Sequence, residues 1–129
     1  MADMYEATYI AMLEDTTDQI RENERRAFDT AIAKLRLAQE LGRGTRESVE
    51  ALLFVNRLWT ILLEDLADQG NGLPDALKAG LISIGIWILR RAEDIRQGRV
   101  NDFLALIEVS ETIRRGLGKQ DHVHSFEAR

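Results

Sequence analysis

Two histidines, His122 and His124, stand beside Asp121 and Glu127 near the end of the chain, and they are its only imidazoles. Imidazole and carboxylate together are metal-ligand chemistry. A pair on a stretch without sustained periodicity lacks the fixed geometry and the outer ring of hydrogen bonds that a resident ion needs, so the segment is expected to take metal only adventitiously. Helical proteins that hold metals place Glu-x-x-His pairs on facing helices, and none occurs here. The absence of cysteine excludes thiolate sites, disulfides and a Cys nucleophile, and fits a reducing compartment. Ser83 lies in an apolar run with no Gly-x-Ser-x-Gly around it and no histidine nearby. Glu64, Asp65 and Asp68 cluster, but helical spacing turns them outward, where water keeps carboxylates ordinary. No enzyme activity and no cofactor are expected.

Binding chemistry is better represented. In "FVNRLWTILLEDLADQGNGLP", from Phe54 to Pro74, Asn56 and Arg57 interrupt an apolar helix beside Leu58 and Trp59. On a wheel of 3.6 residues per turn Glu50, Arg57, Glu64 and Asp68 share one stripe, with Leu52, Trp59 and Leu66 opposite. Arg57 is therefore expected outside and Trp59 in the core. Phe54 and Ile61 fall within the charged stripe, the wrong place for side chains that serve only their own core. Asn56 falls on the flank near Leu53 and Leu63 and is expected to be partly buried, where an unpaired amide costs about 1–3 kcal/mol. It then needs a hydrogen bond between helices or to a partner.

These residues must be positioned by helices. A chain of 129 residues with 45% apolar side chains can form one domain with a moderate core, and its single proline and lack of β-type alternation favour an all-α fold. Periodicity predicts a compact bundle of four main helices plus a short N-terminal helical arm. The arm covers 1–15, with Tyr5, Tyr9 and Met12 as a narrow apolar stripe, the bundle covers 16–117, and 118–129 is expected to be a mobile tail. The first main helix runs from about Thr16 to Leu41, with Ile20, Ala27, Phe28, Ala31, Leu35 and Ala38 inward and Gly42 as its stop; Glu22 and Arg26 can pair outside. Thr45 can cap the second helix. Gly70 and Gly72 are expected at positive φ in a turn ahead of Pro74, which presets the third helix to Gln97. Within that helix Ala79 to Leu89 is apolar nearly all round, and Gly80 and Gly85 suggest close approach by a neighbour. Asn101 is expected to cap the fourth helix, whose inner stripe is Phe103, Leu106, Ile107, Ser110, Ile113 and Leu117; Glu111 and Arg115 can pair.

The net charge of −5 gives no general attraction to phosphate, so nucleic acid is a poor default partner. No basic, apolar leader opens the chain, and its apolar runs fall short of the roughly 20 residues that cross a bilayer. A soluble protein without a membrane partner is expected.

"NRLWTILLEDLADQGNGLPDALKAGLISIGIWI", from Asn56 to Ile88, with "LIEVSETIRRGL", from Leu106 to Leu117, resembles the FlaF family of flagellar biosynthesis regulators. Asn56, Arg57, Leu58 and Trp59 match one motif, Asn71, Leu73 and Pro74 a second, and Ile82, Ser83, Ile84, Ile86 and Trp87 a third. Ser110 and Glu111 depart from the closing motif, where the family tends to have Asn and Arg. The resemblance implies a cytoplasmic, non-enzymatic protein that promotes flagellin synthesis and secretion. It implies chaperone-like binding of flagellin itself, opposite a second regulator, FlbT, that acts on flagellin mRNA.

A helical bundle with surplus apolar surface can hold a flagellin terminal helix, which is amphipathic and disordered before assembly. The partner-contacting residues expected are Tyr5, Tyr9, Phe54, Asn56, Arg57, Trp59, Ile61, Asn71, Leu73, Pro74, Ile82, Ile86 and Trp87. The alternative is an RNA-binding regulator of the flagellin message, using Arg90, Arg91, Arg96, Arg99, Arg114 and Arg115 gathered at one end of the bundle. Self-association through the apolar excess is compatible with the first reading.

Overall fold

In the computed structural model the chain forms four helices, α1 (Ala2–Leu41), α2 (Arg46–Ala67), α3 (Asp75–Arg96) and α4 (Leu104–Glu127), with no strand among the described residues. The structure describes the backbone of residues 2–127 and the side chains of residues 22–117. The side chains of Tyr5, Tyr9, Met12, Ile20, His122 and His124 therefore lie outside the described residues. Helix α1 spans both the stretch expected as an arm and the helix after it, and α4 continues through Gly116 to Glu127. A glycine inside a helix costs only about 1 kcal/mol relative to alanine and need not end it.

The reversal between α1 and α2 follows the predicted signals. Gly42 takes φ 95°, open to glycine and strained for other residues, and its N–H donates to the Ala38 carbonyl at 2.8 Å. Thr45 caps α2, its Oγ1 accepting the Ser48 N–H at 3.1 Å.

The α2–α3 turn is built otherwise than expected. Neither Gly70 nor Gly72 has positive φ. Side chains close the turn instead: Asp68 Oδ1 accepts the Gly70 N–H at 3.3 Å, and Asn71 Oδ1 accepts the Leu73 N–H at 3.0 Å. An Asp or Asn side chain that mimics a backbone turn removes the need for a left-handed residue. Pro74 is the cap residue at φ −57°, and α3 begins one residue later.

At the α3–α4 junction Asn101 does not cap α4. Its Oδ1 accepts from Arg43 Nε at 3.0 Å, while Asp102 Oδ1 takes the Leu104 N–H at 2.8 Å and Gln39 Oε1 takes the Phe103 N–H at 2.8 Å. Two free donors at the start of α4 are thus satisfied, one of them by α1.

Phe28, Ala31, Leu35 and Ala38 of α1 meet Ala51, Leu52, Val55 and Trp59 of α2, Ile88, Ala92 and Ile95 of α3, and Phe103, Leu106 and Ile107 around the start of α4. Trp59 is the largest fully buried side chain and packs edge-on against Phe28, with ring centroids 5.9 Å apart. Helix α1 packs against both α2 and α4, whereas α3 packs chiefly on α2 and only sparsely on α4. Gly85 allows the α2–α3 approach, since a Cβ there would lie 2.8 Å from Leu63 Cδ2 and from Trp59 Cε3. Gly80 has nothing within 4 Å of a Cβ position, so the close approach expected there does not occur.

Ion pairs fasten α4 to α1, Arg36 to Glu111 at 2.7 Å and Arg114 to Asp29 at 2.8 Å. Glu111 therefore pairs across helices rather than with Arg115, which reaches Thr112 Oγ1 at 3.3 Å. The Glu22–Arg26 pair forms at 3.4 Å, with Arg25 closer to the same carboxylate at 2.5 Å.

Candidate functional site

Helix α2 carries the candidate site because it is buried along one line only. Trp59 points inward, and Glu50, Arg57, Glu64 and Asp68 form the exposed ridge that periodicity predicts. The two flanks between core and ridge differ. On the α1 side Phe54 is half-buried against the core with Lys34 Nζ 5.8 Å from its ring centre, and Ile61 is 65% exposed farther out. On the α3 side Val49, Leu53, Asn56, Thr60 and Leu63 recur at spacings of four and three, making one ridge of the helix.

A cleft of about 420 Å³ opens along this second flank. Val49, Leu52, Leu53 and Asn56 form one wall, Ala92, Glu93 and Arg96 of α3 the other, and Arg43 and Gly44 close the end. Val49 is 54% exposed and Leu53 52%. On α3, Leu89, Ile86 and Ile82 lie four, seven and eleven residues before Glu93, so helical spacing continues its wall as an apolar strip; Ile86 is 43% exposed and Ile82 half-buried.

Asn56 is exposed, contrary to expectation. Gly85 of α3 abuts Leu63 and Trp59 of α2, whereas Asn56 lines the cleft between the two helices. The amide keeps its access to solvent, and the cost of burying it does not arise. Phe54 and Ile61 do not line the cleft; Val49 and Leu53 do. Their signal was present in the sequence, on the same flank as Asn56.

The second motif shapes the opposite end. Asn71 Nδ2 donates to Asp65 Oδ2 at 3.4 Å, and Asn71 and Leu73 border a smaller cavity of about 90 Å³ together with Trp59, Ile113 and Leu117. Pro74 and Arg57 are exposed. Trp87 is 40% exposed on the face of α3 turned away from Gly85.

Part of the charge around α3 and α4 is paired. Hydrogen bonds from Arg96 at 2.8 and 2.5 Å and from Gln97 at 2.6 Å hold the Glu93 carboxyl down to about 2 from its ordinary 4.5. Arg99 pairs with Asp94 at 2.7 Å and Arg114 with Asp29. The arginines do not gather at one end. Phe103, near Arg99, sits at Gln39 of α1, whereas Arg114 sits at Asp29, ten residues away or about 15 Å along the helix.

Ser83 is exposed, and Asp65 and Asp68 serve the α2–α3 turn. Among the described residues no group of His, Asp or Glu is arranged to hold a metal ion, and no helix is long and apolar enough to cross a membrane. What the arrangement can do is hold an apolar helix face between α2 and α3. No curated protein and no solved structure matches the chain. Residues 5–117 match the family model described as Flagellar protein FlaF, which covers most of the sequence including all three motifs, and the chain therefore belongs to that family.

Proposed function

We propose that this FlaF-family protein promotes flagellin synthesis and secretion by binding flagellin, holding an amphipathic terminal helix of it along the cleft between α2 and α3. The observation that carries this reading is the pair of half-exposed apolar side chains Val49 and Leu53 on the α2 wall of the cleft, with Ile86, also half-exposed, continuing the α3 wall at helical spacing. An amphipathic helix laid there buries its own apolar stripe and these residues together. Asn56 lies within reach as a polar contact, and Ile82 extends the wall. Tyr5 and Tyr9 are proposed to add to the contact from the N-terminal part of α1. Trp59, Asn71, Leu73 and Pro74 act from behind, as the core anchor and the turn that set the hairpin. The role is non-enzymatic and cytoplasmic, exercised alongside FlbT.

Size-exclusion chromatography of the purified protein with monomeric flagellin tests the proposal. A shared peak is expected, and Leu53→Glu with Ile86→Glu should weaken the complex about tenfold or more while leaving the circular dichroism spectrum unchanged. Ile61→Glu, on the other flank of α2, should change it little. Phe54 is a poorer probe because it packs on the core, so its loss would confuse folding with binding. Loss of binding from Ile61→Glu with none from the Leu53 and Ile86 pair would move the site to the α1 side of α2. The RNA-regulator alternative requires a complex with flagellin mRNA that forms without flagellin and weakens steeply with salt. The acidic balance and the pairing of Arg96, Arg99 and Arg114 to carboxylates favour the protein partner.

A further inference from the structure

On α3, Trp87 lies 200° of helical turn beyond Gly85, and so nearly opposite the face that packs on α2. Arg90 and Arg91 follow it by three and four residues and flank it on the next turn. Neither arginine has an ion-pair partner among the described residues, whereas Arg96 and Arg99 farther along the same segment do. The Arg91 Nε is buried and has no hydrogen-bond partner. A desolvated guanidinium donor without an acceptor is costly to leave unmade. One turn earlier on the helix the half-exposed indole of Trp87 offers apolar area.

We propose that Trp87, Arg90 and Arg91 form a second docking surface, separate from the α2–α3 cleft, for a protein segment that presents a carboxylate next to an apolar side chain. The carboxylate pairs with the outer nitrogens of the two guanidinium groups, neither of which has an ion-pair partner among the described residues, and the apolar neighbour covers the indole. A base stacked on Trp87 with its phosphates on the arginines is the other chemistry such a trio could serve. The net charge of −5 opposes it, since a polyanion must approach the whole molecule and an acidic side chain only its local field.

The chain reports on this surface itself. Trp59 is fully buried and Trp87 is not, so quenching of tryptophan fluorescence by acrylamide reads Trp87. Three probes are titrated into the intact protein: a helical peptide with a Leu/Glu face, the same peptide with Gln for Glu, and a single-stranded RNA oligonucleotide. Trp87 should be shielded by the Leu/Glu peptide and not by the Gln version, and Arg91→Gln with Arg90→Gln should weaken that binding about tenfold with unchanged circular dichroism. Leu53→Glu should leave it unaltered, which separates it from the cleft. Equal shielding by the Gln peptide, shielding by RNA alone, no shielding by any probe, or no effect of the arginine substitutions would each overturn the proposal.

Discussion

Gly85 and Gly80 differ by five positions on one helix, yet substitution should affect them in opposite directions. A methyl at Gly85 would press on the ring of Trp59, which is fully buried and cannot turn aside, so Gly85→Ala should destabilise the fold by about 1–3 kcal/mol in urea denaturation despite the better helix propensity of alanine. At Gly80 a methyl meets nothing, and Gly80→Ala should stabilise by about 1 kcal/mol in the same measurement. Thr45→Ala should cost about 1 kcal/mol through loss of the bond to the Ser48 N–H. Glu93 gives a pH signature. Its carboxyl is lowered in the folded protein, chiefly by the Arg96 hydrogen bonds, so the stabilisation is present above pH 4.5 and disappears as the pH falls from there towards 2. The pair is exposed and its contribution small. Urea midpoints measured at pH 6 and pH 3 should therefore show a lower stability of Glu93→Gln at pH 6 and a narrower difference from the parent at pH 3.

At the scale of elements, what could be read in the sequence was whatever depends on a single helix. The inward faces of α1, α2 and α4 follow from periodicity, from Phe28, Leu35 and Ala38 to Trp59 and to Phe103, Leu106 and Ser110, because a stripe of apolar side chains must be buried wherever the helix ends up. The outer ridge of α2 and the Thr45 cap follow for the same local reason. What could not be read depends on how two elements meet. Asn56 is exposed because it lines the open cleft between α2 and α3, Glu111 chooses Arg36 over Arg115 because α1 lies beside it, and Asn101 is drawn to Arg43 from a loop nearly sixty residues earlier. The α2–α3 turn shows a subtler case. Glycines there suggested a left-handed backbone, while the Asp and Asn between them supply side-chain turns that make it unnecessary. Gly70→Ala and Gly72→Ala should thus be nearly neutral in thermal denaturation, and Asn71→Ala should lower the midpoint by freeing Leu73 from its place beside Trp59 and Ile113.

At the scale of the whole molecule, the bundle is unevenly knit. Helix α1 is gripped from two sides, by the core of α2 and by the ion pairs and packing of α4, whereas α3 depends mainly on one neighbour. Amide hydrogen exchange should therefore be faster in α3 from Leu81 to Ile95 than in α1 from Phe28 to Ala38, because opening α3 breaks fewer contacts than global unfolding. Flagellin seated in the cleft should slow exchange in α3 more than in α1, since one wall of the cleft is α3 itself. The candidate site was only half legible at this scale. That α2 and α3 carry apolar side chains outside their inward stripes follows from periodicity, but that Val49 and Leu53 line the cleft while Phe54 and Ile61 do not depends on how α3 packs on α2.

Gly85 and Trp87 point to nearly opposite sides of one slender helix. A guest lodged in the α2–α3 cleft leaves Trp87 untouched, so two different visitors have no reason to compete. Stoichiometry should then read one to one to one, with α3 as the plank between them.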